Sequence, residues 1–349
     1  MKKRNARKDD SSLAQKPPKL QPKKKEKTST SWLKVVVLSL TAVVVLGFSV
    51  KILPVLIQQF VFMYRLRLPF FVDLSRPADF SLNHTVNMYL TPQDGISLGV
   101  WHTVPESQWK AAQGKDLNWY QKSLGDGSPV FIYLHGNTNN RAAPHRIAVS
   151  QILSSLGYHV LVPDYRGFGD STGQPTEAGL STDALYLYDW VKARSSSSSL
   201  VVLWGHSLGT GVSTNIAVKL QEKGVVLDGV ILEGTFNSAR QKMGGVSPFY
   251  WFYASLPGLR YLFTPEKKAV FPSEENVKKM KCPILFLHSE DDHLAPIEIV
   301  QQLYEIAASS QSKDRVKLVT FDGSKGYLHN GLYRDPELPA VLKNFVESL

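Results

Sequence analysis

Leu200-Val201-Val202-Leu203-Trp204-Gly205-His206-Ser207-Leu208-Gly209-Thr210-Gly211 is the stretch on which the reading of this chain turns. Five apolar residues make a strand suited to the interior of a sheet, a G-x-S-x-G turn follows, and Gly211 to Glu222 has helical spacing and length. Small residues on either side of the serine let the chain reverse against neighbouring strands, which leaves the hydroxyl exposed above the sheet edge. The helix that follows aims its positive end at the same place. Ser207 is therefore the expected nucleophile, and a serine hydroxyl near neutral pH needs a base and an orienting acid.

Working outward, the runs Val130 to Leu134, His159 to Val162, Val230 to Leu232, Ile284 to Leu287 and Val316 to Phe321 alternate with amphipathic segments such as Thr182 to Ala193. Continuous Val, Ile, Leu and Phe runs predict an α/β fold, a mostly parallel sheet with helices on both faces. Val86 to Leu90 and Ser97 to His102 flank Gln93-Asp94-Gly95 and predict an early hairpin.

In this order of elements the acid belongs just past a late strand, and Ile284 to Leu287 runs into His288-Ser289-Glu290-Asp291-Asp292-His293-Leu294-Ala295-Pro296. Spacing to Pro296 in an H-G-x-x-D-x-x-V-P pattern favours Asp292 over its neighbour Asp291. The base belongs in the loop after the last strand, where His329 is the only histidine beyond His293. Acyl transfer also builds negative charge on a carbonyl oxygen, which backbone N–H groups must receive. Leu208 supplies one by its position after the nucleophile. The turn Leu134-His135-Gly136-Asn137 supplies the second, with Gly136 allowing close approach and Asn137 the favoured donor. Such chemistry needs no metal and no organic cofactor.

Three other features have plainer readings. Asp164 to Ser171 follows a strand but lacks the Lys-Ser/Thr of a phosphate loop, so it reads as a structural loop beside the site. His159 and Asp164 have the H-x-x-x-x-D spacing of acyltransferases, yet His159 falls inside a strand run. Cys282 is the only cysteine, which rules out an intrachain disulfide, and its apolar setting before Pro283 reads as packing.

The net charge of +10 is concentrated at one end: residues 1–34 hold 12 Lys/Arg against 3 Asp/Glu, and the rest 28 against 27. A near-neutral body offers no basic groove, so nucleic acid is not an expected partner. The basic segment is poor in large apolar residues and is expected to be disordered. Residues 35–57 follow as an apolar stretch interrupted only by Lys51, long enough for one transmembrane helix if that lysine reaches an interface. A cleaved signal peptide and a buried core helix compete with this reading. The long basic lead and the lack of an A-x-A site favour an uncleaved anchor. The positive-inside rule then leaves the basic tail cytoplasmic and sends residues 58–349 across the membrane. Asn83-His84-Thr85, a glycosylation acceptor triplet, agrees with that topology. An aromatic-rich insertion at about 236–272 is expected to form a helical cap lining an acyl-chain pocket, which with the anchor points to a lipid substrate at a membrane.

Leu82 to Thr85, Gly99 to Pro105, Asp164 to Ser171, Trp204 to Gly211 and Glu274 to Lys278 together resemble one group of α/β-hydrolase domain proteins, the lysophosphatidylserine lipases that also act on monoacylglycerols. The resemblance runs from about residue 69 to the C-terminus. It implies an α/β-hydrolase fold, a serine lipase with a triad on Ser207, Asp292 and His329, and a single-pass endoplasmic-reticulum membrane glycoprotein with a lumenal catalytic domain. The chain departs from the family's L-E-S/A-P-F at Leu232-Glu233-Gly234-Thr235-Phe236. A protein-acyl thioesterase with the same triad and a non-catalytic hydrolase-like scaffold are the alternatives.

Overall fold

The computed structural model describes residues 32–45, 47, 62–65, 71–236 and 271–349. The chain divides into two units, Met1–Pro54 and Val55–Leu349. In the first, residues 32–45 and 47 are helical, with Trp32, Leu38 and Val43 exposed. No helix among the described residues is long and apolar enough to cross a membrane. The expected span continues through residues 48–57, outside the described residues, as do the basic tail up to residue 31 and residues 237–270 of the expected cap.

The second unit is built on one eight-stranded sheet of order β1-β2-β4-β3-β5-β6-β7-β8. β1 (Thr85–Gln93) and β2 (Ile96–Thr103) form the expected hairpin, closed by Asp94-Gly95 with Gly95 at φ 76°. Its register sets Thr85 opposite Thr103, and their hydroxyls meet at 2.8 Å in the interior. Asn83 stands exposed two residues earlier. β2 pairs antiparallel with β4 (His159–Pro163), and all later pairings are parallel, through β3 (Val130–Leu134), β5 (Val201–His206), β6 (Gly229–Glu233), β7 (Ile284–Ser289) and β8 (Val316–Phe321).

Alternation along these strands divides the core in two. Ile132, Leu203, Leu232 and Phe286 face one side, packed with α2 (Glu177–Lys192), α3 (Leu208–Glu222), α4 (Ser273–Lys279) and α5 (Ile297–Ser310). Tyr133, Trp204, Ile231 and Leu287 face the other, packed with α1 (Pro144–Ser155) and α6 (Leu338–Val346). Both faces are buried, which is why the strands read as unbroken apolar runs rather than alternating ones. From β3 the chain crosses to β4 on one side, then to β5 on the other. The carboxyl ends of β3 and β5 therefore flank a crevice of the kind where open α/β sheets bind ligands.

Cys282 is 3% exposed and burial pushes its thiol up to about 12, in keeping with a packing role. His159 and Asp164 stand at opposite ends of β4, about 16 Å apart at an extended rise. His159 instead meets His102 at 3.0 Å and Asp126 at 3.2 Å, while Asp164 holds Arg141 at 2.6 Å, so the acyltransferase pairing does not exist. The Asp164 to Ser171 loop is structural, as expected: Arg141 also bonds Asp170, and Arg166 pairs with Asp183 at 2.6 Å.

A carboxylic acid is buried at the end of a central strand. Glu233, the last residue of β6, is 4% exposed and accepts from Trp204 Nε1 at 2.9 Å. Burial, opposed by that N–H and reinforced by Asp292, pushes its carboxyl from 4.5 up to about 8. The folded protein thus keeps a proton that the unfolded chain releases, and stability declines as pH rises from about 4.5 to about 8. Glu233→Gln has no proton to lose, so it should gain stability relative to wild type across that window, by up to about 1.4 kcal/mol per pH unit. Denaturation of both chains at pH 5 and pH 8 measures this; a difference independent of pH would count against the neutral acid.

Candidate active site

Ser207 caps α3 with φ 52° and ψ −116°, a backbone conformation costing on the order of 1–3 kcal/mol for a residue with a side chain. The surroundings leave no other path. A Cβ on Gly209 would lie 1.8 Å from the Leu134 carbonyl oxygen of β3, and one on Gly205 would lie 2.4 Å from the Gly209 carbonyl. The turn is also tied to the next strand, since Ser207 N–H donates to the Glu233 carbonyl at 2.9 Å.

Asp292 and His329, the expected acid and base, stand in the loops after β7 and β8. His329 Nδ1 lies 2.7 Å from Asp292 Oδ2 with both residues buried, and Asp292 Oδ1 accepts from the Leu294 and Ala295 amides at 2.9 and 3.0 Å. Burial works to raise the Asp292 pKa. The His329 hydrogen bond and charge and the two amides outweigh it and leave the carboxyl below its usual value. An ionised Asp292 only accepts, so Nδ1 of His329 donates the proton in this contact. The His329 Nε2 is buried and makes no hydrogen bond among the described residues.

Asp291, the neighbouring candidate, has a different partner set. Its Oδ1 accepts from Leu328 N–H at 3.0 Å and from the Ser289 hydroxyl. It thereby holds Leu328, which has φ 53°, immediately before His329. His206 acts from the other side: its Nε2 lies 3.0 Å from the His329 carbonyl, an acceptor only, so this nitrogen bears the proton. Burial, with the His329 ring nearby, keeps the His206 imidazole neutral, its pKa well below the usual value.

The remaining expected residues gather at the same edge. Leu208 opens α3, and a Cβ on Gly136 would lie 3.2 Å from Ser207 Cβ, so the turn carrying Asn137 borders Ser207. Gly234, at φ 59°, fills the space behind the His329 and Asp292 pair: a Cβ there would come within 2.9 Å of His329 Cε1. Ser207, Leu208, Asn137, Asp292 and His329, the residues that the sequence singles out, all lie at the carboxyl edge of the sheet. Sequence reasoning missed the Asp291 tie and the His206 support, which depend on loops far apart in the chain, although the Gly234 departure from the family pattern was a visible signal.

Residues 129–256 match the family described as alpha/beta hydrolase fold. Lysophosphatidylserine lipase ABHD12 of Danio rerio is 44% identical over 304 residues, covering 86% of this chain and 79% of that protein. Its Xenopus tropicalis counterpart is 46% identical over 308 residues, covering 87% and 79%. Protein ABHD12B of Homo sapiens is 45% identical over 296 residues, covering 83% and 80%. Among solved structures, the Pyrococcus furiosus esterase Pf2001 superposes with a TM-score of 0.57 at 21% identity, over 81% of this chain and 96% of that one. An alpha-beta hydrolase from Vibrio vulnificus gives 0.60 at 16%, over 84% and 92%. These two likenesses carry the fold, and the closer sequence relatives carry the family. The chain belongs to the ABHD12 family of α/β-fold serine hydrolases, which are ester-cleaving enzymes.

Proposed function

We propose that this enzyme hydrolyses the acyl ester of lysophosphatidylserine, of related lysophospholipids and of monoacylglycerols, with Ser207 as nucleophile. The observation that carries the mechanism is the 2.7 Å contact between His329 and Asp292 at the edge where Ser207 is held in its forced turn. The relatives named as lysophosphatidylserine lipases support the substrate class.

His329 Nε2 takes the Ser207 proton as Oγ bonds to the ester carbonyl carbon. The carbonyl oxygen becomes an oxyanion received by the Leu208 and Asn137 amides. Collapse breaks the ester bond, the departing glycerol oxygen takes the proton from His329, and an acyl-enzyme remains. Water, deprotonated by the same imidazole, then releases the fatty acid. Asp292 keeps the ring in its tautomer and stabilises the charge it gains.

The site is served by a membrane in this reading. Residues 35–57 anchor the chain in the endoplasmic-reticulum membrane, residues 1–34 face the cytosol, residues 58–349 are lumenal, and about 236–272 form the cap. The exposed Leu and Val side chains of the N-terminal helix support an apolar surrounding, and the exposed Asn83 supports lumenal glycosylation.

Ser207→Ala and Asp292→Asn should each lower kcat on lysophosphatidylserine by about 10⁴-fold or more without loss of fold. In cells, Ser207→Ala should raise lysophosphatidylserine and monoacylglycerol relative to wild type; indistinguishable lipid levels would sink the lipase reading. Glycosidase treatment should shift the mass of the wild-type chain and leave Asn83→Gln unshifted. A wild-type chain with no shift would remove the case for a lumenal domain and favour a cytosolic thioesterase.

A further inference from the structure

Among the described residues, two arginines are 1% exposed, and their terminal nitrogens bond in different ways. Arg141 pairs with the carboxylates of Asp164 and Asp170, each at 2.6 Å. Arg146, in the first turn of α1 and 1% exposed, has no carboxylate at ion-pair distance among the described residues. Its bonds go to the backbone of the turn after β3. Nη1 donates to the Asn140 carbonyl at 2.7 Å, and Nη2 donates to the Thr138 carbonyl at 2.6 Å and reaches the Gly136 carbonyl at 3.5 Å.

We propose that Arg146 is a positioning residue for the oxyanion site, drawing three carbonyls of the 136–140 turn to one side so that the Gly136–Asn137 amide faces Ser207. The inference rests on the Ser207 reading above. In a trans peptide the C=O and the following N–H point in opposite directions. Holding the Gly136 carbonyl on the guanidinium side therefore turns the Asn137 N–H the other way. His135 shares this task, its Nδ1 lying 2.7 Å from the same carbonyl oxygen. Gly136 itself lies against Ser207, so this peptide borders the reacting centre. Thr138 and Asn140, the next alternate carbonyls, receive the shorter Arg146 bonds and fix the rest of the turn, including Asn139 at φ 64°.

The charge matters as well as the shape. Burial lowers the Arg146 pKa against the pull of Asp164, whose carboxylate pairs with Arg141 and makes no bond to Arg146. A positive charge behind the oxyanion donors favours the state in which the carbonyl oxygen becomes negative, and it does little for a neutral ester. Arg146 should therefore act on kcat rather than on substrate binding.

The test uses the full chain, with Arg146→Lys and Arg146→Met compared with wild type and Ser207→Ala on monoacylglycerol in mixed micelles. The expected loss in kcat is about tenfold for Arg146→Lys and about a hundredfold for Arg146→Met, with KM within about threefold. A trifluoromethyl ketone that adds Ser207 to form an oxyanion should weaken in parallel with kcat, while an ether analogue without a carbonyl should bind as before. Folded Arg146→Lys with wild-type kcat, or a loss carried by KM, overturns the proposal. So does failure of Arg146→Lys to fold, which would make the guanidinium a stability element. Activity surviving in Ser207→Ala would instead overturn the reading of the nucleophile, a separate result.

Discussion

The Leu134 carbonyl of β3 leaves no room for a side chain at Gly209, and that single steric limit governs how β5 can end. With Gly205 and Gly209 both crowded, the chain turns through a positive φ at Ser207, and the first turn of α3 is delivered directly beneath the serine. The cost, on the order of 1–3 kcal/mol, falls within the total stability of an ordinary domain and is met by the buried strands on either side. The same contact ties β3 to β5 at the point where the strand order reverses. Ser207 and the turn carrying Asn137 are therefore neighbours by construction of the sheet.

The other half of the site is less rigidly built and is held by polar contacts. The links from Asp292 to His329 and from Asp291 to the Leu328 amide join the loops after β7 and β8, beside the bond from Glu290 N–H to the Phe321 carbonyl. Two adjacent aspartates thus divide the work: one faces the imidazole, the other fixes the backbone that carries it. His206 adds a third hold from the nucleophile's own strand. Around this constellation the buried groups are kept neutral where a charge would compete with it, as with His206 and Glu233.

The sheet and both helical layers were legible in the sequence, and the five residues proposed for the site were chosen there, because each leaves a local mark. Apolar runs mark buried strands, glycines mark the forced turn, and Pro296 fixes the choice of Asp292. What was not legible depends on partners without a side-chain signature. The Asp291 contact is to the amide of Leu328, and Arg146 binds three carbonyls, atoms that every residue possesses. Glu233 looks like any strand-end carboxylate until Trp204 and the enclosing core are in place. At His159 and Asp164 the strand run outweighed a spacing resembling that of acyltransferases, and the structure agrees, with the two held by different partners.

The hairpin of β1 and β2 carries a consequence for timing. Thr85 is the hydroxyl residue of the acceptor triplet, and in the folded domain that hydroxyl is inside, against Thr103. Asn83 remains on the surface, but an enzyme that must read the threonine as well as the asparagine meets both only while the hairpin is open. If sugar is added at Asn83, as proposed above, its addition and the closure of the first two strands have a fixed order, with the sugar first.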